Sequence, residues 1–102
     1  MKGRDLLLIR LANAKQKLAP LGEPPASLTE EEQRAWRDIA SSAPHGLLRQ
    51  PDEVFLEMAA RWVAYCRSTS SMPYAAISRT IRLLEELAIS REDRRRLLKG
   101  AL

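Results

Sequence analysis

Apolar side chains recur every three or four residues in successive stretches of the chain, which is the spacing of one face of an α-helix. The strongest repeat follows residue 53, and another follows the turn at residues 68–72. Every proline and every glycine falls between or outside these stretches, as expected for helices joined by short loops. The pattern predicts no strands and five helices, at about residues 5–18, 29–42, 51–66, 73–87 and 90–98.

Local signals mark where two of these helices begin. Thr29, followed three residues later by Glu32, has the pattern of a capping box, and Ser90 followed by Asp93 is a second N-terminal cap.

Trp36 lies in the middle of an apolar stripe that continues to Ile39, so we expect it to be a core anchor. The predicted apolar faces of the third and fourth helices are Phe55, Met58, Ala59, Trp62, Val63 and Cys66, then Ile77, Thr80, Ile81, Leu84 and Leu87.

The chain divides into three regions. Residues 1–19 predict a basic amphipathic helix or arm, 20–28 a Pro-rich linker, and 29–102 a helical core that contains an antiparallel hairpin at 51–88 and a short basic C-terminal helix. A hairpin this short cannot bury an apolar face on each helix, so we expect a small all-α bundle that self-associates. The predicted oligomer interface consists of Phe55, Met58, Trp62, Ile77, Ile81 and Leu84.

Residue types argue against catalysis, metal binding and membrane insertion. The sequence has no glycine-rich phosphate loop and no HExxH, and His45 has no nucleophile or carboxylate partner nearby in sequence. Cys66 is the single cysteine and His45 the single histidine, too few for a zinc site, and no apolar run approaches the roughly 20 residues that span a bilayer. We expect a cytoplasmic protein that has no cofactor and is not an enzyme.

Charge favours a polyanionic partner. The net charge is +4, and residues 1–25, 26–58 and 59–102 carry +3, −4 and +5, so positive charge is concentrated at the two ends. An ordinary solvated helix end explains the C-terminal group equally well, since cations there suit the helix dipole. The candidate DNA-binding residues are Lys2, Arg4, Arg10, Lys15 and Lys17 in the N-terminal segment, and Arg94, Arg95, Arg96 and Lys99 near the C-terminus.

An ordered series of residues resembles the phage terminase small subunit family. It comprises Pro24-Pro25, Leu28, Thr29 with its glutamates, Trp36, Gly46-Leu47-Leu48 and Asp52, then Leu84, Leu87, Ala88, Ile89, Ser90, Arg94 and Leu97. The likeness covers roughly residues 20–99. Ala88 stands where the family prefers glycine and Arg91 where it prefers proline, and the turn at 68–72 is shorter than in relatives.

The resemblance implies a DNA-recognition subunit without enzymatic activity of its own. Such a subunit assembles into a ring, engages the start site on double-stranded viral DNA in the bacterial host, and regulates the ATPase and nuclease of the terminase large subunit. Two other readings remain open. One is a helical protein-interaction adaptor that does not bind DNA, and the other is a small helix-turn-helix regulator that reads bases through Ser78, Arg79 and Arg82.

Overall fold

Five α-helices joined by loops make up most of the described chain. The computed structural model describes residues 3–69 and 73–99, with side chains from Leu6 onward. The helices are α1 (Gly3–Ala14), α2 (Glu30–Ser42), α3 (Glu53–Ser68), α4 (Tyr74–Glu86) and α5 (Arg91–Leu97), with short 3-10 turns at Lys15–Lys17 and Gln50–Asp52. The predicted all-α bundle of five helices is confirmed. Within the described residues, the one extended pairing is an isolated backbone bridge between Pro20 and Arg49.

Helix α2 begins at the capping box that the sequence predicts. The Glu32 amide donates to Thr29 Oγ1 at 3.1 Å, and the Thr29 amide donates to the Glu32 carboxylate at 2.8 Å. These bonds satisfy two amides that have no partner inside the helix. Further along the helix Ala35, Trp36 and Ile39 are buried, so the predicted inward face is confirmed.

Helix α3 packs against α2 and α4 through a face rich in small side chains. Its buried residues are Leu56, Ala59, Ala60, Val63, Ala64 and Cys66. Small side chains at a helix contact allow the helix axes to approach closely. Part of the apolar face predicted for this helix faces solvent instead of the core: Phe55 is 50% exposed and Met58 is 44% exposed.

A left-handed residue at the end of α4 sets the direction of α5. Ala88 has φ = 61°, and its amide donates to the Glu85 carbonyl at 2.9 Å. The next amide, of Ile89, donates to the Leu84 carbonyl at 3.0 Å. The two bonds form a Schellman motif, and its usual apolar pair is Leu84 and Ile89, both fully buried.

Replacing Ala88 by glycine is expected to stabilise the fold by about 1 kcal/mol. A Cβ atom in the left-handed region costs roughly 1–2 kcal/mol, and part of this gain is lost because glycine is freer in the unfolded chain. Thermal unfolding should show a rise in Tm of about 4–8 °C. Ala76→Gly, inside α4, is the control and should lower Tm, because glycine destabilises a helix interior. Equal effects at both positions would contradict this account.

Helix α5 is short and depends on its cap and its apolar end. The Asp93 amide donates to Ser90 Oγ at 3.2 Å, as the predicted cap requires. Leu97 and Leu98 are buried in the common core. A helix of seven residues is not stable alone in water, so these contacts fix it in place.

Arg67 ties the end of α3 to two other helices. Its Nη1 lies 3.0 Å from Oδ2 of Asp38 in α2, and its Nε donates to the Leu97 carbonyl of α5 at 3.0 Å. The last carbonyls of a helix have no partner inside the helix, so the bond from Arg67 Nε also satisfies one carbonyl at the end of α5.

The segment that follows α1 is held against the start of α3. Three hydrogen bonds do this: from Lys15 Nζ to the Asp52 carboxylate, from the Gln50 amide to the Ala19 carbonyl, and from the Gly22 amide to the Glu53 carboxylate. The predicted linker at 20–28 then enters the core, where Leu28 is buried and Leu21 packs against it.

Helix α1 itself leaves most of its apolar side chains in solvent. Leu6, Leu7, Ile9 and Leu11 are 43–61% exposed. In the described part of the chain, no helix combines the length and the apolar character that crossing a membrane requires.

Candidate nucleic-acid interface

Three arginines converge beside the junction of α4 and α5. Arg91, Arg94 and Arg95 line a depression of about 170 Å³, and Ile81 of α4 forms the apolar part of its wall. Spacings of three and four residues bring side chains to one side of a helix, which explains why these arginines come together. A concave surface with several guanidinium groups is suited to a phosphate, because guanidinium binds its oxygens through paired N–H groups.

A hydrogen bond to the backbone holds one of the three arginines in place. Arg94 Nη1 donates to the Ile89 carbonyl at 2.7 Å, directly after the left-handed turn at Ala88. This bond orients Arg94 in the wall, whereas Arg91 and Arg95 are exposed. Arg94 is therefore a positioning element as well as a charge, and Arg91 and Arg95 are the accessible cations.

The ion pairs of the described residues lie away from this depression. None of the four ion pairs in the described part of the chain includes Arg91, Arg94 or Arg95. Asp93, which lies between Arg91 and Arg94 in sequence, instead accepts hydrogen bonds from Ser90 Oγ and from Arg96. Glu92 is adjacent to Arg91 in sequence but forms no ion pair with it, so none of the three arginines is paired with a described carboxylate.

The other two predicted C-terminal cations, Arg96 and Lys99, do not line this depression. Arg96 Nη2 donates to Ser42 Oγ of α2 and lies 3.3 Å from Asp93 Oδ1, so it spans the contact between α2 and α5. Lys99 is exposed just beyond the helix. The structure thus brings two of the four predicted residues, Arg94 and Arg95, into one depression and adds Arg91, which the sequence analysis did not select.

In the described part of the chain, Arg10, Lys15 and Lys17 line none of the depressions. Lys15 is paired with Asp52, and Arg10 and Lys17 are exposed. Lys2 lies outside the described residues, and Arg4 lies in α1 without a described side chain.

A second basic depression is less suited to an anion. Arg34 and Arg67 line a space of about 150 Å³ between α2 and α3, but Glu31 also lines it. Arg67 is already paired with Asp38. The acids offset the charge of the arginines here, which they do not do at α5.

The predicted oligomer interface divides into exposed and buried parts. Phe55 and Met58 are exposed, and Ile77 and Ile81 are half-buried. Trp62 is half-buried as well, with the Arg79 guanidinium carbon 5.7 Å from its ring centroid. Leu84 is fully buried within its own chain, where it belongs to the hydrophobic core.

We compared the chain with protein-family models, curated proteins and solved structures. None of them matches.

Proposed function

We propose that this chain is a small terminase subunit, which binds double-stranded viral DNA at the start site for packaging and regulates the ATPase and nuclease of the large subunit. The observation that carries the proposal is the depression formed by Arg91, Arg94 and Arg95, whose charge no described ion pair offsets. In this proposal the chain contributes recognition and assembly in the bacterial cytoplasm, while catalysis belongs to the large subunit.

The positions that carry the resemblance support the proposal because the fold constrains them. Thr29 caps α2, and Trp36 is 2% exposed in the core. Gly46 has φ = +76°, and Ala88, where the family prefers glycine, has the left-handed conformation that glycine adopts without strain. The ordered series thus marks one cap, one core anchor and two left-handed turns.

DNA would be held by several copies acting together. One depression offers three guanidinium groups, which is a small footprint for a duplex. Arrayed on an oligomer, such weak sites bind one DNA molecule much more tightly than a single site does. Salt dependence follows, because each phosphate contact releases condensed counterions.

The double variant Arg91→Gln/Arg95→Gln tests this function. It removes two exposed cations and keeps Arg94, whose hydrogen bond supports the turn. We expect affinity for duplex DNA at 50 mM salt to fall about tenfold or more, and the slope of log K against log salt to decrease by about 2 for each copy engaged. Fluorescence anisotropy over 50–200 mM salt measures both quantities.

The matched control is Arg34→Gln/Arg37→Gln, which removes the same charge from exposed positions on α2. It should change the affinity for DNA much less than the α5 variant. Equal losses would mean that net charge alone drives binding. If the unaltered protein does not bind duplex DNA at 50 mM salt, the proposal fails and the adaptor reading replaces it. A larger loss from Arg79→Gln/Arg82→Gln would instead favour the helix-turn-helix reading.

A further inference from the structure

The depression beside the junction of α4 and α5 has the size of a site for a single phosphate group. This α5 depression, lined by Ile81, Arg91, Arg94 and Arg95, has a volume of about 170 Å³. Sites that enclose a small organic ligand usually occupy about 300–1,000 Å³. A nucleotide with its base and sugar is therefore too large for the α5 depression, whereas a phosphate group alone is small enough.

The three guanidinium groups match one kind of phosphate better than another. A phosphate inside a DNA strand has two free oxygens and carries a single negative charge. A phosphate at the end of a strand is a monoester, with three acceptor oxygens and a charge of about −1.5 to −2 at neutral pH. Guanidinium binds phosphate oxygens through paired N–H groups, so three arginines around one depression suit the terminal group in both oxygen count and charge.

No residue described as lining the α5 depression is acidic. The two helices that form it contain four acids, none of them among its lining residues: Glu85, Glu86, Glu92 and Asp93. The bond from Arg94 to the Ile89 carbonyl holds one of the three guanidinium groups in place before any ligand arrives. A group that is already ordered costs less to immobilise on binding, which favours a compact ligand here.

Shape also favours the end of a strand. An internal phosphate is joined to a sugar on each side and lies in a continuous backbone, so it meets a concave site only together with its neighbours. A terminal phosphate is joined to a sugar on one side only and projects from the end of the duplex. It can therefore enter the α5 depression and contact all three arginines at once.

We propose that the α5 depression binds the terminal phosphate of a DNA strand. The inference rests on the proposed function, and it names the form of DNA that this surface prefers. Hydrolysis of a phosphodiester bond supplies such a group: the oxygen of water bonds to phosphorus, the bond from phosphorus to one sugar oxygen breaks, and one strand end keeps a phosphate monoester while the other receives a hydroxyl. The chain therefore binds a cut end of duplex DNA in preference to an uninterrupted duplex.

Hairpin duplexes with one open end test this preference. Three of them share one sequence and carry a phosphate at the open end on one strand, on the other strand, or on neither, and a fourth duplex is closed at both ends. We expect the unaltered full chain to bind at least one phosphorylated duplex about tenfold more tightly than the other two kinds, as for one additional hydrogen bond to a charged group. Fluorescence anisotropy with an internal label measures the four affinities at one salt concentration.

A variant and a matched control place the preference on α5. Arg91→Gln/Arg95→Gln should bind all four duplexes equally, because it removes two of the three guanidinium groups and keeps the bond of Arg94 to Ile89. The control Arg34→Gln/Arg37→Gln removes the same charge from exposed positions on α2. Any loss of affinity in the control should be the same for all four duplexes, so that the tenfold ratio remains. Circular dichroism checks that both variants fold.

Free phosphate is the other source of the same chemistry. Inorganic phosphate, titrated at constant ionic strength, should abolish the preference only far above the concentration of the duplex, because it lacks the further contacts that a duplex makes. Loss of the preference at an equal concentration would mean that the α5 depression is a site for free phosphate, and the inference would be wrong.

Two further results overturn the inference and leave the proposed function standing. If the unaltered chain binds all four duplexes equally, the α5 depression does not distinguish a terminal phosphate from an internal one. If the preference survives in Arg91→Gln/Arg95→Gln, the terminal phosphate is bound elsewhere. Absence of binding to every duplex, by contrast, overturns the proposed function and the inference together.

Discussion

Replacing Trp36 by alanine should destabilise the protein by about 3–5 kcal/mol. The side chain is 2% exposed and belongs to the core between α2 and α3. Its loss leaves a large cavity, and a total stability of about 5–15 kcal/mol is typical of domains. Thermal unfolding followed by circular dichroism should show Tm lower by more than about 10 °C, or no folded state at all.

Trp62→Ala is the matched comparison, because it removes the same side chain from the outer side of α3. Trp62 is half-buried, and its ring lies beneath the Arg79 guanidinium at 5.7 Å. Cation–π contacts at exposed sites are worth about 0.5–1 kcal/mol, so we expect a loss of about 1–2 kcal/mol. Equal losses for the two tryptophans would contradict the assignment of one to the core and the other to the surface.

The second large effect is expected for Leu97→Ala, at about 2–5 kcal/mol. Leu97 is 1% exposed and lies at the end of α5, where its carbonyl accepts from Arg67. Since α5 is too short to persist alone, losing this anchor should release it from the bundle. Hydrogen exchange of the α5 amides should then accelerate more than exchange in α2.

The same variant should lose DNA affinity even though it keeps every arginine. Arg91, Arg94 and Arg95 form their depression only while α5 is docked beside Ile81. Gln50→Ala is the control, because Gln50 is exposed, uncharged and outside the core. If Leu97→Ala neither lowers the affinity for DNA nor accelerates hydrogen exchange in α5, the helix does not depend on this anchor.

The helices could be predicted from local signals, because each begins or ends at residues whose preferences are short-range. Thr29 and Ser90 cap α2 and α5, and Pro73 precedes α4. The orientation of α3 could not be predicted in the same way. Both of its sides are apolar, so periodicity favours neither, and the side with Ala59 and Ala60 is buried because small residues allow close packing.

Local signals predicted only part of the candidate site, because long-range packing decides which arginines line it. The run at Arg94 and Arg95 is visible in sequence, but Arg96 contacts Ser42, a residue 54 positions away, and only the packing of α5 on α2 decides this. Arg91 was missed because it stands at the first position of a helix, where it looks like part of a cap. Its distance of three and four residues from the other two arginines was the available signal.

Ala88 also has an evolutionary consequence. Natural proteins commonly sit just above the stability they need, without reaching the most stable sequence open to them. One methyl group in a left-handed turn is a small reserve of this kind, since removing it should strengthen the junction that carries the arginines. A related chain that worked at higher temperature could gain that margin by a single replacement, with no change to Arg91, Arg94 or Arg95.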